Sequence, residues 1–251
     1  MEPKRIKRGW MNLRIDKVIP ETHDTKTLYL VDAEEGGCVF DYQPGQYLTF
    51  RFDHLEAKPI VRSYTMSSSP CQKTHIEVTV KTVPHGVVSH YLCEKVKEGD
   101  ILRARGPIGR FGYDPQKNAP RLVMIGAGSG VTPFISMLRE YTRNGSLAGG
   151  APQEMILIVS YRSEEDLISW DLLQEVQQHL NVKVVVTLSR QHLAGFRFGR
   201  IDGDLLSQVL GGDFSNRTFF LCGPEGMLTT LPLFLGEQGV DSTHVLTESF
   251  F

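Results

Sequence analysis

An antiparallel barrel followed by an open parallel α/β sheet is the fold this chain predicts, and three observations predict it. The first half alternates apolar and polar residues with period two. The second half replaces that alternation with continuous β-branched runs between helical patterns, the mark of a parallel sheet covered on both faces. Where one pattern yields to the other, Gly112-Tyr-Asp-Pro-Gln-Lys-Asn-Ala-Pro120 carries two prolines and few apolar residues. The expected domains are residues 1–115 and 116–251.

In the first domain, strands are expected over 12–19, 26–31, 47–52, 60–66, 75–83 and 100–105. Glu34-Glu-Gly-Gly37, Gln43-Pro-Gly45 and Lys97-Glu-Gly-Asp100 supply turn signals between them. Six short strands and one helical candidate, 88–95, fit an antiparallel six-stranded barrel. In the second domain a strand over 121–125 leads to a helix over 133–144, and 155–161 to 166–179. A strand over 182–188 then leads to a helix over 204–210, and 218–222 to 227–238. A fifth strand, 245–248, closes the pattern.

Bulk properties narrow the function. The 251 residues carry a net charge of −2, which lacks the basic excess of a nucleic-acid surface. No apolar run is long enough for a membrane helix, and the basic start leads into an alternating segment, so neither membrane insertion nor a secretory signal is expected. Cys38, Cys71, Cys93 and Cys222 form no Cys-x-x-Cys pair, which argues against a zinc ribbon or an iron–sulfur cluster. Four reduced thiols in a cytoplasmic protein are the expectation. The eight histidines show no ligand spacing, so no metal site is expected.

Chemistry concentrates in a few segments. Arg62-Ser63-Tyr64-Thr65 runs into Ser67-Ser-Ser-Pro70. In a strand, Arg62 and Tyr64 share a face, so one can pair a diphosphate while the other packs on a planar ring whose edge Thr65 can hydrogen-bond. A barrel strand with a surface arginine would look the same. Gly86-Val87-Val88-Ser89 precedes the helical candidate and offers free amides and a hydroxyl to the same diphosphate, or simply an N-cap.

Gly126-Ala-Gly128-Ser129-Gly130-Val-Thr132-Pro133 joins a buried strand to a helix start. Glycines there admit a diphosphate to the helix amides, although the same turn serves as a tight connection. The spacing is Gly-x-Gly-x-Gly, with Val131 where the dinucleotide fingerprint wants its third glycine. The next strand ends in Ser160-Tyr-Arg162 rather than an acidic residue, and the one after in Ser189-Arg190, followed by Arg197 and Arg200. Arginines at strand ends of an open sheet suit a 2′-phosphate, hence NADP(H), although each singly fits a solvated loop. Cys222-Gly223-Pro224-Glu-Gly-Met227 also opens a helix on the crevice side, and Phe250 and Phe251 are expected to cover something apolar, a flavin ring or the protein's own core.

Together these motifs resemble the ferredoxin–NADP reductase superfamily over nearly the whole chain. Arg-x-Tyr-Ser/Thr is met by Arg62, Tyr64 and Thr65, Gly-x-x-Ser by Gly86 and Ser89, and Gly-Pro-x-Gly-x-Phe by Gly106–Phe111. Gly126–Phe134, Cys222–Met227 and the closing Glu248 and Phe250 complete the order. The resemblance implies FAD in the barrel and a nicotinamide nucleotide in the second domain. It implies that Thr79, Val80 and Lys81 also hold the flavin and that Val87, Val88 and Ser89 complete the diphosphate site. Thr65, Cys222 and Glu248 would flank the point where nicotinamide C4 meets flavin N5. Arg162, Ser189, Arg190 and Arg200 look like a 2′-phosphate set.

Plant-type members end in tyrosine after Glu-x, where this chain has Phe250 and Phe251. They also carry threonine at Ala127 and alanine at Thr132. That variant looks closer to the bacterial oxygenase-reductase and flavohaemoprotein branches, which often use NADH. The function implied is hydride transfer from NADPH to FAD, then single electrons to ferredoxin or flavodoxin. One alternative is an NADH-dependent reductase component feeding an oxygenase or desaturase through a separate iron–sulfur protein. Another is a regulatory subunit, though such a subunit usually needs its own cysteine cluster. Lys4, Arg5, Lys7 and Arg8 offer a local basic patch to an acidic carrier.

Overall fold

The computed structural model describes residues 9–38, 40–143 and 150–250. The chain forms two compact units, Met1–Gly112 with Ile135–Glu140, and Tyr113–Phe134 with Tyr141–Phe251.

The first unit is a barrel of six antiparallel strands: β1 (Met11–Thr22), β2 (Thr25–Asp32), β3 (Tyr47–Phe52), β4 (Ile60–Thr65), β5 (Ile76–Lys81) and β6 (Ile101–Ile108), in the order β4-β3-β6-β1-β2-β5. The period-two pattern sets the register. Met11, Leu13 and Ile15 of β1 point into the core while Asn12, Arg14 and Asp16 face solvent. An antiparallel bridge from Met66 to Val78, beside a bond from Ser67 N to Glu77 O of 2.8 Å, ties the end of β4 to β5. Leu28, Leu30, Leu48, Phe50, Phe52, Ile76 and Val80 fill the interior. The expected helix over 88–95 becomes a short α1 (Val87–His90) that widens into a π turn over Tyr91–Lys95.

The second unit is a parallel sheet of β7 (Arg121–Ala127), β8 (Glu154–Tyr161), β9 (Val182–Leu188), β10 (Arg197–Phe198), β11 (Arg217–Cys222) and β12 (Val245–Glu248), ordered β10-β9-β8-β7-β11-β12. It has six strands where five are expected, because Arg197 and Phe198 pair with Thr187 and Leu188 as a short edge. Its helices are α2 (Thr132–Arg143), α3 (Trp170–Val176), α4 (Gly203–Leu210) and α5 (Glu225–Glu237). The helix expected over 166–179 starts late. Ser163 and Asp166 cap one another's backbone around a single 3₁₀ turn, buried Leu167 and Ile168 follow, and Ser169 takes φ 51° before α3 begins. Among the described residues no helix is long and apolar enough to cross a membrane.

Candidate functional site

The barrel's candidate residues gather at its edge strand. In β4, Arg62 lies opposite Phe50 and is exposed. Its Nη1 donates to Val61 O at 2.8 Å, and among the described residues it has no acidic partner. An unneutralised guanidinium on an open edge has the donor chemistry a diphosphate needs. Tyr64 falls on the same face, its ring 6.0 Å from that of Phe50, and burial pushes its phenol well above the usual range. Ser63 points to the other face, where its hydroxyl meets Thr49 at 3.1 Å. Thr65 is buried at the strand end.

The neighbouring candidates are committed to the protein's own framework. Ser89 is buried, donates to Gly86 O at 3.0 Å and accepts from Val83 N at 3.2 Å, so its hydroxyl shapes the loop instead of standing free as a donor. A Cβ on Gly86 would come within 2.5 Å of that hydroxyl, which explains the glycine. Val88 is buried and Val87 exposed, and no side-chain cap closes the start of α1. The Thr79 hydroxyl sits between Thr27 at 2.8 Å and Ser67 at 2.9 Å, Val80 is core, and Lys81 binds Asp24 at 2.6 Å. Lys81 is therefore not an open cation.

The hydroxyl run 67–69 has another role. Tyr42 binds Ser68, Ser136 donates to Ser68 O at 2.7 Å, and Arg139 donates to Ser67 O and pairs with Glu77. Ser69 and Cys71 bind the Glu140 carboxylate. These serines anchor the middle of α2 within the first unit. Ser136, Arg139 and Glu140 were invisible as partners because their bonds reach across about seventy residues of sequence.

In the second unit, β7 and β11 pair side by side while their connections run to opposite sides of the sheet, the switch point at which open sheets receive ligands. Gly128 adopts φ 54° with open space around it, and Ser129 is half-buried. Gly130 is packed against protein: a Cβ there would lie 2.1 Å from Cys222 O. A Cβ on Gly126 would meet the Phe134 ring at 3.3 Å, and Thr132 is buried with its hydroxyl on Ser129 O at 2.9 Å. Half of this glycine motif thus serves close packing of loop on strand end.

Cys222 pairs in register with Glu248 across β11 and β12. Burial, then the nearby Glu248 carboxylate, holds the Cys222 thiol far above its usual range. Burial alone pushes the Glu248 carboxyl up to about 7. Its Oε2 is buried without a hydrogen-bond partner among the described residues, an acceptor left for something else to satisfy. A Cβ on Gly223 would meet Met227 Cε at 2.8 Å, and Pro224 caps α5.

The backbone N–H of Arg190 donates to Arg162 O at 2.9 Å, which sets the two strand ends side by side. Arg162, Arg190 and Arg200 are all exposed, and none has an acidic partner among the described residues. That donor set suits a dianionic phosphate. Ser189 differs, because its hydroxyl donates to Tyr161 O at 3.1 Å. Phe250, expected to cover a flavin ring or the protein's own core, is 37% exposed, and Phe251 lies outside the described residues, as does the basic patch at Lys4–Arg8.

Comparison with known proteins agrees with this architecture. Residues 12–113 match the oxidoreductase FAD-binding domain family and residues 124–231 the oxidoreductase NAD-binding domain family. The chain belongs to the ferredoxin–NADP reductase superfamily, with a flavin domain ahead of a nicotinamide domain. It is 29% identical to the glycine betaine monooxygenase reductase subunit of Pseudomonas aeruginosa, over 96% of this chain and 65% of that protein. It is 27% identical to the reductase component of the naphthalene 1,2-dioxygenase system of Pseudomonas putida, over 99% of this chain and 70% of that one. The chain therefore spans about two thirds of such relatives. Among solved structures, a ferredoxin NADP+ reductase from Neisseria gonorrhoeae with bound FAD and NADP shares the fold. Its TM-score is 0.80 at 21% identity, covering 96% of this chain and 99% of that one.

Proposed function

We propose that the chain is a flavoprotein reductase that takes a hydride from NADPH onto FAD and delivers single electrons to a carrier protein. The observation that carries this reading is the pair of unneutralised arginine sites. Arg62 stands on the barrel edge, and Arg162, Arg190 and Arg200 lie beyond the parallel strands, one site in each unit. Bound flavin and nicotinamide would supply the hydride and electron chemistry. The protein's share is to hold and shield them.

In this reading Arg62 pairs the FAD diphosphate, Tyr64 packs along the flavin, and Thr65 hydrogen-bonds its edge. The Gly126–Thr132 turn and the Gly223-Pro224 corner let the nicotinamide nucleotide approach, and Arg162, Arg190 and Arg200 select its 2′-phosphate. Glu248, with its carboxyl pushed up to about 7, carries a proton part of the time at neutral pH and so presents a partly neutralised acceptor beside the Cys222 thiol. No general acid or base is needed for hydride transfer, so these two residues act by positioning the nicotinamide.

The relatives bear on the electron acceptor. Reductase subunits of glycine betaine monooxygenase, 3-ketosteroid-9-alpha-monooxygenase and naphthalene dioxygenase systems recur among them. They favour an oxygenase system, reached through an iron–sulfur protein, over flavodoxin as the destination. The four free cysteines support a reducing, cytoplasmic setting. The test is steady-state reduction of iron–sulfur and flavodoxin acceptors with NADPH and with NADH. The proposal expects turnover with a protein carrier and a lower KM for NADPH. Failure of both nucleotides to support any turnover would remove it.

A further inference from the structure

The outward face of the barrel carries a cluster of arginines that the proposed function leaves unused. Strand register assembles it. Asn12 of β1 faces solvent, Arg103 of β6 lies opposite Asn12, and Arg51 of β3 lies opposite Arg103. Arg105, two residues past Arg103, falls on the same face opposite Thr49. Trp10 precedes β1, and both guanidinium groups lie over its ring, Arg103 at 5.6 Å and Arg105 at 5.1 Å. Such cation–π contacts hold two otherwise mobile side chains in place.

Acid does not balance this cluster. Asp53 serves two of the arginines, accepting from Arg51 Nε at 2.7 Å and lying 3.8 Å from Arg103 Nη1. Arg105 is exposed and has no acidic partner among the described residues. Three guanidinium groups thus share one carboxylate, on a chain whose net charge is −2. Arg14, further along β1, is matched by Asp16 at 3.4 Å. Like charges directly opposite across a sheet destabilise it, so the Arg51–Arg103 pair costs stability that a bound anionic group would offset. Val61, opposite Arg51, and Ile101, two residues before Arg103, add exposed apolar surface. Arginine, tryptophan and aliphatic groups on one sheet face make the composition of a protein-binding surface.

Two strand spacings, about 10 Å, separate β6 from β4, where Arg62 and Tyr64 stand. Resting on the reductase reading, we infer that this face docks the one-electron carrier through a carboxylate-rich patch on the carrier's surface, with Trp10 at the centre of the contact. The guanidinium forks pair carboxylates through two bonds at once, and the indole supplies apolar area that excludes water from them. The chain as a whole repels an acidic carrier. Attraction confined to this face therefore sets the orientation of approach and brings the carrier alongside β4. A nucleic acid, negative along its whole length, would meet that repulsion beyond the patch.

The test is steady-state kinetics of the FAD-loaded full chain with NADPH and two acceptors. One is an iron–sulfur ferredoxin of net negative charge, two of which are reduced for each NADPH oxidised, with one proton released. The other is the uncharged quinone menadione. Arg103→Glu combined with Arg105→Glu should raise KM for ferredoxin about tenfold or more and flatten its dependence on salt, with the menadione rate within about twofold of wild type. Trp10→Ala should raise KM for ferredoxin about fivefold. Asp53→Asn, which removes the shared carboxylate, should lower that KM about twofold at low salt, a gain that loss of structure does not produce. Retained menadione turnover certifies that each variant is folded and loaded. A ferredoxin KM unmoved in the double variant would overturn the inference alone, as would a wild type that reduces menadione but no ferredoxin. The face would belong to a lipid surface if that variant lost retention on phosphatidylglycerol vesicles while its ferredoxin KM held, and the inference would fall. A wild-type chain that oxidises NADPH with neither acceptor would overturn the functional reading beneath it.

Discussion

Cys222 and Glu248 stand opposite each other across the parallel pairing of β11 and β12, a buried thiol beside a partly buried carboxyl. Both hold their protons more tightly than usual, so the thiol stays neutral and the carboxyl carries only part of its negative charge at neutral pH. The arginines sit elsewhere, at the ends of β8 and β9 and just after β10.

The first prediction concerns Glu248. Burial raises its carboxyl from 4.5 to about 7 in the folded chain. A raised folded value means the contribution to stability is complete below the unfolded value and is lost as pH rises through about 7. Relative to Glu248→Gln, wild type should lose on the order of 1–2 kcal/mol between about pH 5 and 8, after discounting for partial exposure. Urea unfolding of both proteins across that range checks it. Parallel curves would contradict the assignment.

Two glycines of one loop should behave differently. Gly130→Ala would drive a Cβ to 2.1 Å from Cys222 O and must displace backbone, costing about 3 kcal/mol or more. Gly128→Ala meets nothing within 4 Å and bears only its φ of 54°. That strain costs about 1–2 kcal/mol. Thermal unfolding of the two variants should rank them in that order.

Replacing Arg190 by alanine should raise KM for NADPH about tenfold or more and leave KM for NADH within a factor of about two, since only NADPH presents a 2′-phosphate. Equal effects on both nucleotides would remove Arg190 from that site. Initial-rate kinetics suffice.

Arg139 and Glu77 form an ion pair whose side chains are 17% and 8% exposed. Arg139→Met would leave Glu77 buried with His75 as its remaining ring partner at 3.2 Å, at a cost of about 3–5 kcal/mol. Adding Glu77→Gln should recover most of the loss. Denaturant unfolding of the single and double variants measures the coupling.

Much of the fold was legible because its signals are local. The Leu13/Ile15 alternation fixes β1, and the run Val184–Val186 marks a strand covered on both faces. What escaped depends on contacts distant in sequence or on single turns. The two-residue β10 has too few residues for any periodicity. The start of α3 is delayed by the Ser163–Asp166 cap, which overrides helix-forming residues at 164–166. At the site, Arg62 and Tyr64 could be placed by strand parity alone. The commitments of Ser89, Lys81 and the serines at 67–69 could not, because polar side chains announce hydrogen bonds without naming partners.

The central claim is that one chain holds a flavin and accepts a nicotinamide, and its most direct test is optical. The purified chain, reconstituted with FAD and kept free of oxygen, is titrated with NADPH while the visible flavin absorption is followed. The account predicts a yellow protein that bleaches at close to one equivalent of nucleotide for each bound flavin. A chain that stays colourless after FAD is supplied, or a yellow one that neither NADPH nor NADH bleaches, would contradict it.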